Sequence, residues 1–208
     1  MRTETIRAAG RWPALCLSLS LCLTPLAHAQ EPGTDIVMGQ SHSLYSEVLG
    51  EARTVLVSKP IGYDQADESY PVLIALDGYN HFFHTTSMGW FLQANQLIPG
   101  LLVVSIENTV RARDLTPPSE APFDLENFPE LGGAAAFQAF IADELIPWLD
   151  ANYRTRPYRI LVGHSHGGLF AIYSLTTRPE LFQGLHRDQP EPAMGRAAFR
   201  RPRCRGAR

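Results

Sequence analysis

The chain has 208 residues, of which 45% are hydrophobic and 19% charged, and its formal net charge is −3. These values are ordinary for one globular domain with a core of its own, and the absence of internal repeats excludes a solenoid or propeller. Residues 31–184 carry eighteen acidic and eight basic side chains, an acidic balance that argues against nucleic acid as a partner.

The first 29 residues have the pattern of an export signal. They open with basic residues, continue with an apolar stretch over residues 14–26 and end in Ala-His-Ala at residues 27–29, which fits a signal-peptidase site. We expect a mature chain from about Gln30, exported to a periplasm and free of the membrane after cleavage; an uncleaved anchor is the alternative. Cys204 alone remains in that mature chain, which excludes an intrachain disulfide.

Short apolar runs alternate with amphipathic stretches beyond residue 30. Four runs of aliphatic and β-branched residues predict strands at residues 54–58, 72–76, 101–106 and 160–162. Apolar residues spaced three and four apart predict helices at residues 87–97, 134–149 and 168–177, and Pro147 should distort the last turn of the second. This alternation predicts an α/β fold over residues 30–184, with a mostly parallel sheet and helices on both faces.

The sequence Gly163-His164-Ser165-His166-Gly167 lies between the last predicted strand and the last predicted helix. Gly-x-Ser-x-Gly in that context is typical of a sharp turn that lifts a serine hydroxyl above the sheet. We therefore predict that Ser165 is a nucleophile and that the backbone N–H of His166 faces a developing oxyanion; an incidental serine in a glycine-rich turn is the alternative. The side chains of His164 and His166 should point away, without a catalytic or metal-binding role.

The loop after the second predicted strand is a candidate for the other side of the site. A second oxyanion donor is expected there, from the backbone of Gly78 or Tyr79, while Asp77 should bond loop amides. His81 and His84 either line the mouth of the site or are ordinary loop residues.

Two arginines stand out in the acidic body of the chain, after the third predicted strand. Arg111 and Arg113 either contact an anionic group of a substrate or order their own loop through Asp114 or Glu107. The sequence leaves both interpretations open.

Four stretches, taken in order and spacing, resemble the putative-esterase family of α/β-hydrolases, and in particular its exported, siderophore-esterase-like branch. The resemblance covers about residues 43–184 and is carried by residues 70–78, 111–117, 143–149 and 158–170. It implies hydrolysis of a small-molecule carboxyl ester by a Ser–His–acid triad, with no cofactor and no metal. Acyl transfer to a sugar acceptor and a non-catalytic binding module are the alternatives.

The same resemblance raises a difficulty, because the family's triad acid and histidine follow the serine on later loops. After Gly184 the chain offers only His186, Asp188 and Glu191, which are too near Ser165 to arrive on two further strand-end loops. Residues 185–208 are therefore expected to be an aberrant, basic, disordered tail. We interpret the chain as C-terminally truncated or frameshifted near residue 184, with little activity as written.

Overall fold

A six-stranded sheet forms the centre of the computed structural model, which describes residues 33–188. Residues 37–188 belong to one compact unit, and residues 33–36 belong to a separate N-terminal unit. In chain order the strands are β1 Gln40–Ser46, β2 Glu51–Ser58, β3 Tyr70–Ala75, β4 Leu102–Ile106, β5 Thr155–His164 and β6 Gly184–Asp188. Their spatial order is β1-β2-β4-β3-β5-β6, in which β2 is antiparallel to both neighbours and the last four strands are parallel.

Helices follow β3, β4 and β5. They are α1 Gly78–Ala94, α2 Arg111–Leu115, α3 Pro122–Asn127, α4 Ala134–Ala139, α5 Ile146–Asn152 and α6 His166–Thr177. A 3₁₀ turn lies at Tyr63–Gln65. Within residues 33–188, no helix combines the length and the apolar character that a membrane crossing requires.

The two faces of the sheet carry different helices. Along β4, Leu102, Val104 and Ile106 join the main core with the aromatic side chains of α4 and α6. Val103 points to the opposite face, because side chains alternate along a strand, and there it lies beside Gly89 of α1. The predicted α/β fold, with a mostly parallel sheet covered on both faces, is therefore confirmed.

The helix predicted at residues 134–149 is continuous to Asn152 but irregular in its middle. A π-helical segment, Phe140–Leu145, joins α4 to α5. Pro147 has no N–H to donate to the carbonyl of Asp143 four residues earlier, and the wider turn accommodates that loss. The distortion expected from Pro147 thus falls before the proline, and Phe140, Ile141 and Leu145 still reach the core.

Two strands, the short helices α2 and α3 and the start of α1 were not predicted. The first strand, β1, is largely exposed and its sequence QSHSLYS is polar, so it carries little hydrophobic signal although it pairs with β2 along its whole length. The helix α1 begins at Gly78, nine residues before the predicted start, because aromatic and polar residues alternate irregularly in its first turns and give no clear period. Both β1 and the start of α1 therefore depend on contacts with distant parts of the chain.

A sixth strand begins at the boundary predicted at residue 184, and the boundary itself stays a prediction. Residues 184–188 form β6, which pairs in parallel with residues 160–164 of β5. The edge of β5 has backbone N–H and C=O groups that need hydrogen-bond partners, whatever side chains the partner strand carries. Residues 185–188, which were expected in a disordered tail, therefore pair with β5 as part of β6. The remainder of that tail, residues 189–208, and the signal predicted over residues 1–29 lie outside the described residues.

Candidate active site

Ser165 occupies the sharp turn between β5 and α6, and its backbone is strained. Its φ of 55° and ψ of −115° belong to a region that non-glycine residues rarely adopt, and such strain is concentrated at functional sites. The residue is half-buried at the carboxyl edge of the sheet. The local geometry is therefore that of a serine held outward by its turn.

The flanking glycines allow this turn to close. A Cβ on Gly163 would lie 2.3 Å from the carbonyl carbon of Gly167, so no larger residue fits without moving the backbone. Gly167 in turn approaches Leu76 and Asp77, at the end of β3. The glycine spacing seen in the sequence thus reflects a three-way contact of β5, α6 and the loop after β3.

The first turn of α6 presents backbone amides beside Ser165. The first helical hydrogen bond runs from the Leu169 N–H to the Ser165 carbonyl, so the preceding amides lie before the start of the helical ladder. These N–H groups and the helix dipole favour negative charge at this point. The position of the His166 N–H is compatible with the predicted oxyanion role, which stays a prediction.

The side chains on either side of Ser165 have separate environments. The His166 ring is buried and packs edge-to-face on Phe128, with centroids 5.2 Å apart. The His164 ring is exposed and lies on the opposite side, toward His81.

Asp77 and Arg111 form the central ion pair of the site. Arg111 Nε and Nη2 donate to the two carboxylate oxygens of Asp77 at 2.6 and 3.0 Å, and Asn108 adds a third hydrogen bond at 2.7 Å. The same Nη2 also donates to the carbonyl of His164, immediately before Ser165. Arg111 therefore connects the loop after β3 with the turn that carries Ser165.

This pairing fixes the charge of the buried Asp77 carboxylate. Burial alone would raise the pKa of Asp77, but the hydrogen bonds from Arg111 and Asn108 and the positive charge of Arg111 outweigh it and lower the pKa. Asp77 itself has a φ of 66°, in the left-handed region, so its backbone is strained as well. Asp77 thus orders the site as an ionised group. Its carboxylate bonds the side chains of Arg111 and Asn108, whereas hydrogen bonds to loop amides were expected.

The N–H of Tyr79, one of the two predicted second oxyanion donors, is already engaged. It donates to Glu107 Oε2 at 2.8 Å. Gly78 has a φ of 43°, and a Cβ there would lie 1.6 Å from the same carboxylate oxygen, so only glycine lets Glu107 approach. The Tyr79 amide therefore has a carboxylate partner in this structure, and the oxyanion roles of Tyr79 and Gly78 stay predictions.

Arg113 belongs to a different cluster from Arg111. Its guanidinium pairs with Asp114 at 2.8 Å and with Glu51 at 2.5 Å, and the fully buried Arg53 pairs with the same two carboxylates at 2.7 and 2.6 Å. The Arg53 contacts have the distances of ion pairs but not the angles of hydrogen bonds. Arg113 therefore orders its loop through Asp114, whereas Arg111 does so through Asp77 and not through Asp114 or Glu107; substrate contact by either arginine stays a prediction.

His81 and His84 do not lie in a loop, since both are on the first turns of α1. They line a small cavity together with His164 and His186. Within residues 33–188 no three His, Cys, Asp or Glu side chains already converge on one point as metal ligands would.

No hydrogen bond to the Ser165 hydroxyl is formed within residues 33–188. The part of the chain described by the structure thus contains the Ser165 turn and the start of α6, without an imidazole hydrogen-bonded to the serine. Sequence reasoning missed the role of Ser105, whose buried hydroxyl donates to the carbonyl of Ala75 at 2.9 Å and shares that proton with the carbonyl of Gly78 at 3.2 Å. The available signal was a polar residue within an otherwise apolar strand.

Comparison with known proteins agrees with this geometry. The family described as "Putative esterase" matches residues 46–186. Ferri-bacillibactin esterase BesA of Bacillus subtilis is 33% identical over 172 residues, which cover 73% of this chain and 56% of BesA. The siderophore triacetylfusarinine C esterase of Aspergillus fumigatus is 28% identical over 166 residues, covering 72% of this chain and 55% of the relative.

A solved structure shares the fold. The IroE-like serine hydrolase from Shewanella oneidensis superposes with a TM-score of 0.64 at 37% sequence identity, over 71% of this chain and 49% of that one. The chain spans about half the length of the curated relatives it matches.

Proposed function

Because this chain belongs to the putative-esterase family, we propose that it is a serine hydrolase of carboxyl esters, with Ser165 as the nucleophile. The observation that carries the proposal is the strained Ser165 backbone at the start of α6, beside amides that precede the helical ladder. In this chemistry the serine oxygen attacks the ester carbonyl, the alcohol leaves, and water later hydrolyses the acyl-enzyme. The His166 amide would stabilise the oxyanion of each tetrahedral intermediate.

Proposed substrates are small siderophore-type esters, since the relatives named above are siderophore esterases. We also propose that the protein acts outside the cytoplasm, in a periplasm, on the strength of the signal-like pattern over residues 1–29. The Asp77–Arg111 pair holds the two loops that border the serine and carries no proton in the reaction.

We expect turnover by the chain to be slow. The hydroxyl of Ser165 needs a general base to give up its proton, and no hydrogen bond joins it to an imidazole within residues 33–188. A hydrolase that lacks a triad member keeps only about 10³–10⁴-fold acceleration over water, from its oxyanion site and substrate binding. Deacylation needs the same base, so the acyl-enzyme should persist once it forms.

The test uses p-nitrophenyl butyrate with the full chain. We expect slow release of p-nitrophenol above the buffer rate and, by mass spectrometry, a butyryl group on the peptide that contains Ser165. Ser165→Ala should abolish both signals, and the matched control Ser87→Ala, at an exposed serine of α1, should retain them. Equal hydrolysis by the chain and its Ser165→Ala variant, or acylation at another residue, would contradict the proposal.

The substrate class is tested separately, with ferri-bacillibactin and triacetylfusarinine C followed by chromatography of the products. Ser165-dependent cleavage of either supports a siderophore ester, whereas cleavage of p-nitrophenyl butyrate alone restricts the proposal to simple esters. Addition of a sugar distinguishes the acyltransferase, which would form more acyl-sugar than free acid. Saturable binding of a siderophore with no acylation of Ser165 would support the binding module.

A further inference from the structure

Four histidines surround one small cavity beside the nucleophile turn. His81 and His84 come from α1, His164 ends β5 and His186 lies on β6. The cavity has a volume of about 170 Å³ and is otherwise lined by Val162 and Gly163. Neither the esterase chemistry nor the packing of the core uses these four side chains.

Two of the histidines already have the spacing of metal ligands. His81 Nδ1 and His84 Nε2, three residues apart on α1, are 3.4 Å from each other. Two nitrogens bound to one tetrahedral Zn²⁺ at the usual bond length are about 3.3–3.4 Å apart. A weak N–H···N contact joins the two rings, and a cation entering between them would replace its proton, which would pass to the solvent.

The other nitrogen of His81 faces an acid. His81 Nε2 lies 3.9 Å from Asp77 Oδ2, a carboxylate that Arg111 and Asn108 hold in place. Metal-binding histidines usually direct their second nitrogen at such a carboxylate, which orients the ring and strengthens it as a ligand. At 3.9 Å the two atoms are not hydrogen-bonded, but the carboxylate is on the side of the ring where a supporting acid would lie.

Arg111 is the positive charge that acts on the His81 ring. Its charge is opposed locally by its two hydrogen bonds to Asp77.

A third nitrogen is available across the cavity. The His164 ring centroid lies 6.5 Å from that of His81, and the His164 side chain is exposed, so rotation about its side-chain bonds can bring it toward the pair without moving the core.

We propose that His81, His84 and His164 bind a divalent transition-metal ion of the Zn²⁺ class, with His164 turning in to complete the site and water as the fourth ligand. Imidazole ligands suit this class of ions, whereas Mg²⁺ and Ca²⁺ require oxygen. The proposal does not depend on ester hydrolysis, because it concerns side chains that do not contact Ser165 Oγ. A bound ion would connect α1 with the end of β5.

The experiment is a calorimetric titration of the full chain with ZnCl₂ at pH 7.5. Cys16, Cys22 and Cys204 are replaced by serine in every sample, because free thiols bind zinc themselves. We expect one ion per chain, with a dissociation constant in roughly the micromolar range. At pH 5.5 the affinity should fall, since protonated imidazoles do not bind metals.

Variants locate the ion. His84→Asn and His164→Asn should each weaken binding by more than about tenfold, since even loss of a supporting partner costs about 10–100-fold. The matched control His42→Asn changes a histidine outside the cavity, which bonds Tyr153, and should leave the affinity unchanged. Because His84 and His164 are exposed, both variants should fold, which circular dichroism checks. Absence of zinc binding, or equal affinity in His84→Asn and the unsubstituted sample, would overturn the proposal.

Discussion

Asp77 is the residue on which the geometry of the site depends most. Its carboxylate is 5% exposed and accepts three hydrogen bonds, from Arg111 and Asn108, while its backbone is held at a positive φ. Through the second contact of Arg111, to the carbonyl of His164, the ionised state of one buried acid positions the turn that carries Ser165. The role of Asp77 is therefore to order the site rather than to transfer a proton.

Asp77→Asn should lower the free energy of unfolding by roughly 1–3 kcal/mol at pH 7, a range reduced from that of fully buried pairs because a third of Arg111 is exposed. The pKa of Asp77 is lower in the folded state than in the unfolded state. Its stabilisation is therefore complete above the unfolded pKa, about 3.9, and is lost as pH falls through the lower folded value.

Urea unfolding of both proteins at pH 7, 5, 3.5 and 2.5 checks this prediction. The difference in unfolding free energy between the chain and Asp77→Asn should be constant between pH 7 and 5 and should shrink at the two lower values. Asp67→Asn, at an exposed aspartate before β3, is the control and should change stability little at any of them. A difference independent of pH would show that the charge of Asp77 is not what stabilises the loops.

At the scale of elements, the junction of β5 and α6 is set by close backbone contact. Strand and helix meet where Gly163 faces Gly167, and the turn between them has room for no additional carbon. In the π-helical segment Phe140–Leu145 the backbone widens instead, because Pro147 removes a helical hydrogen bond. Both irregularities follow from single residues, a glycine and a proline, whose backbone chemistry is unusual.

Gly163→Ala should lower the unfolding free energy by more than about 2 kcal/mol, because the new methyl group overlaps the Gly167 backbone and cannot rotate away. Gly89→Ala is the matched control. A Cβ there meets only Val103 Cγ2, at 3.8 Å, and alanine favours the helix, so stability should rise by up to about 1 kcal/mol. Thermal and urea unfolding measure both, and equal effects of the two substitutions would contradict this account of the junction.

At the scale of the whole molecule, a buried charge cluster connects the antiparallel side of the sheet to the site. Arg53 on β2 is 1% exposed and lies between Glu51 and Asp114, and its guanidinium carbon is 5.5 Å from the centre of the Phe137 ring. Asp114 and Arg113 are on α2, the helix that also carries Arg111. The cluster thus fixes α2 against β2, and with it the arginine that bonds Asp77.

Arg53→Met should cost about 3 kcal/mol or more, because it leaves the buried Asp114 without one of its two cationic partners. Combining it with Asp114→Leu should recover more than half of that loss, since a buried ion pair is often replaced by apolar residues at little cost. Chemical unfolding of the two single variants and the double variant measures the coupling. Strictly additive losses would show that Arg53 and Asp114 do not depend on each other.

The sequence by itself determined the fold class and the Ser165 turn. The strands and helices around that turn are encoded by short apolar runs and by glycines at fixed spacing, which are local signals that need no distant partner. The strand β5 and the helix α6 accordingly lie where the pattern placed them, although β5 extends from Thr155 to His164.

Only the tertiary structure decided which distant groups meet. Asp77 and Arg111 are 34 residues apart, and they pair because β3 and β4 are neighbours in the sheet. Likewise the order of β3, β5 and β6 brings His164 and His186 close to the histidines of α1. The strand β6 pairs with β5 although no hydrophobic run in the sequence predicts it. Sequence patterns report burial and backbone preference residue by residue, whereas the choice of partner depends on strand order, which no local pattern contains.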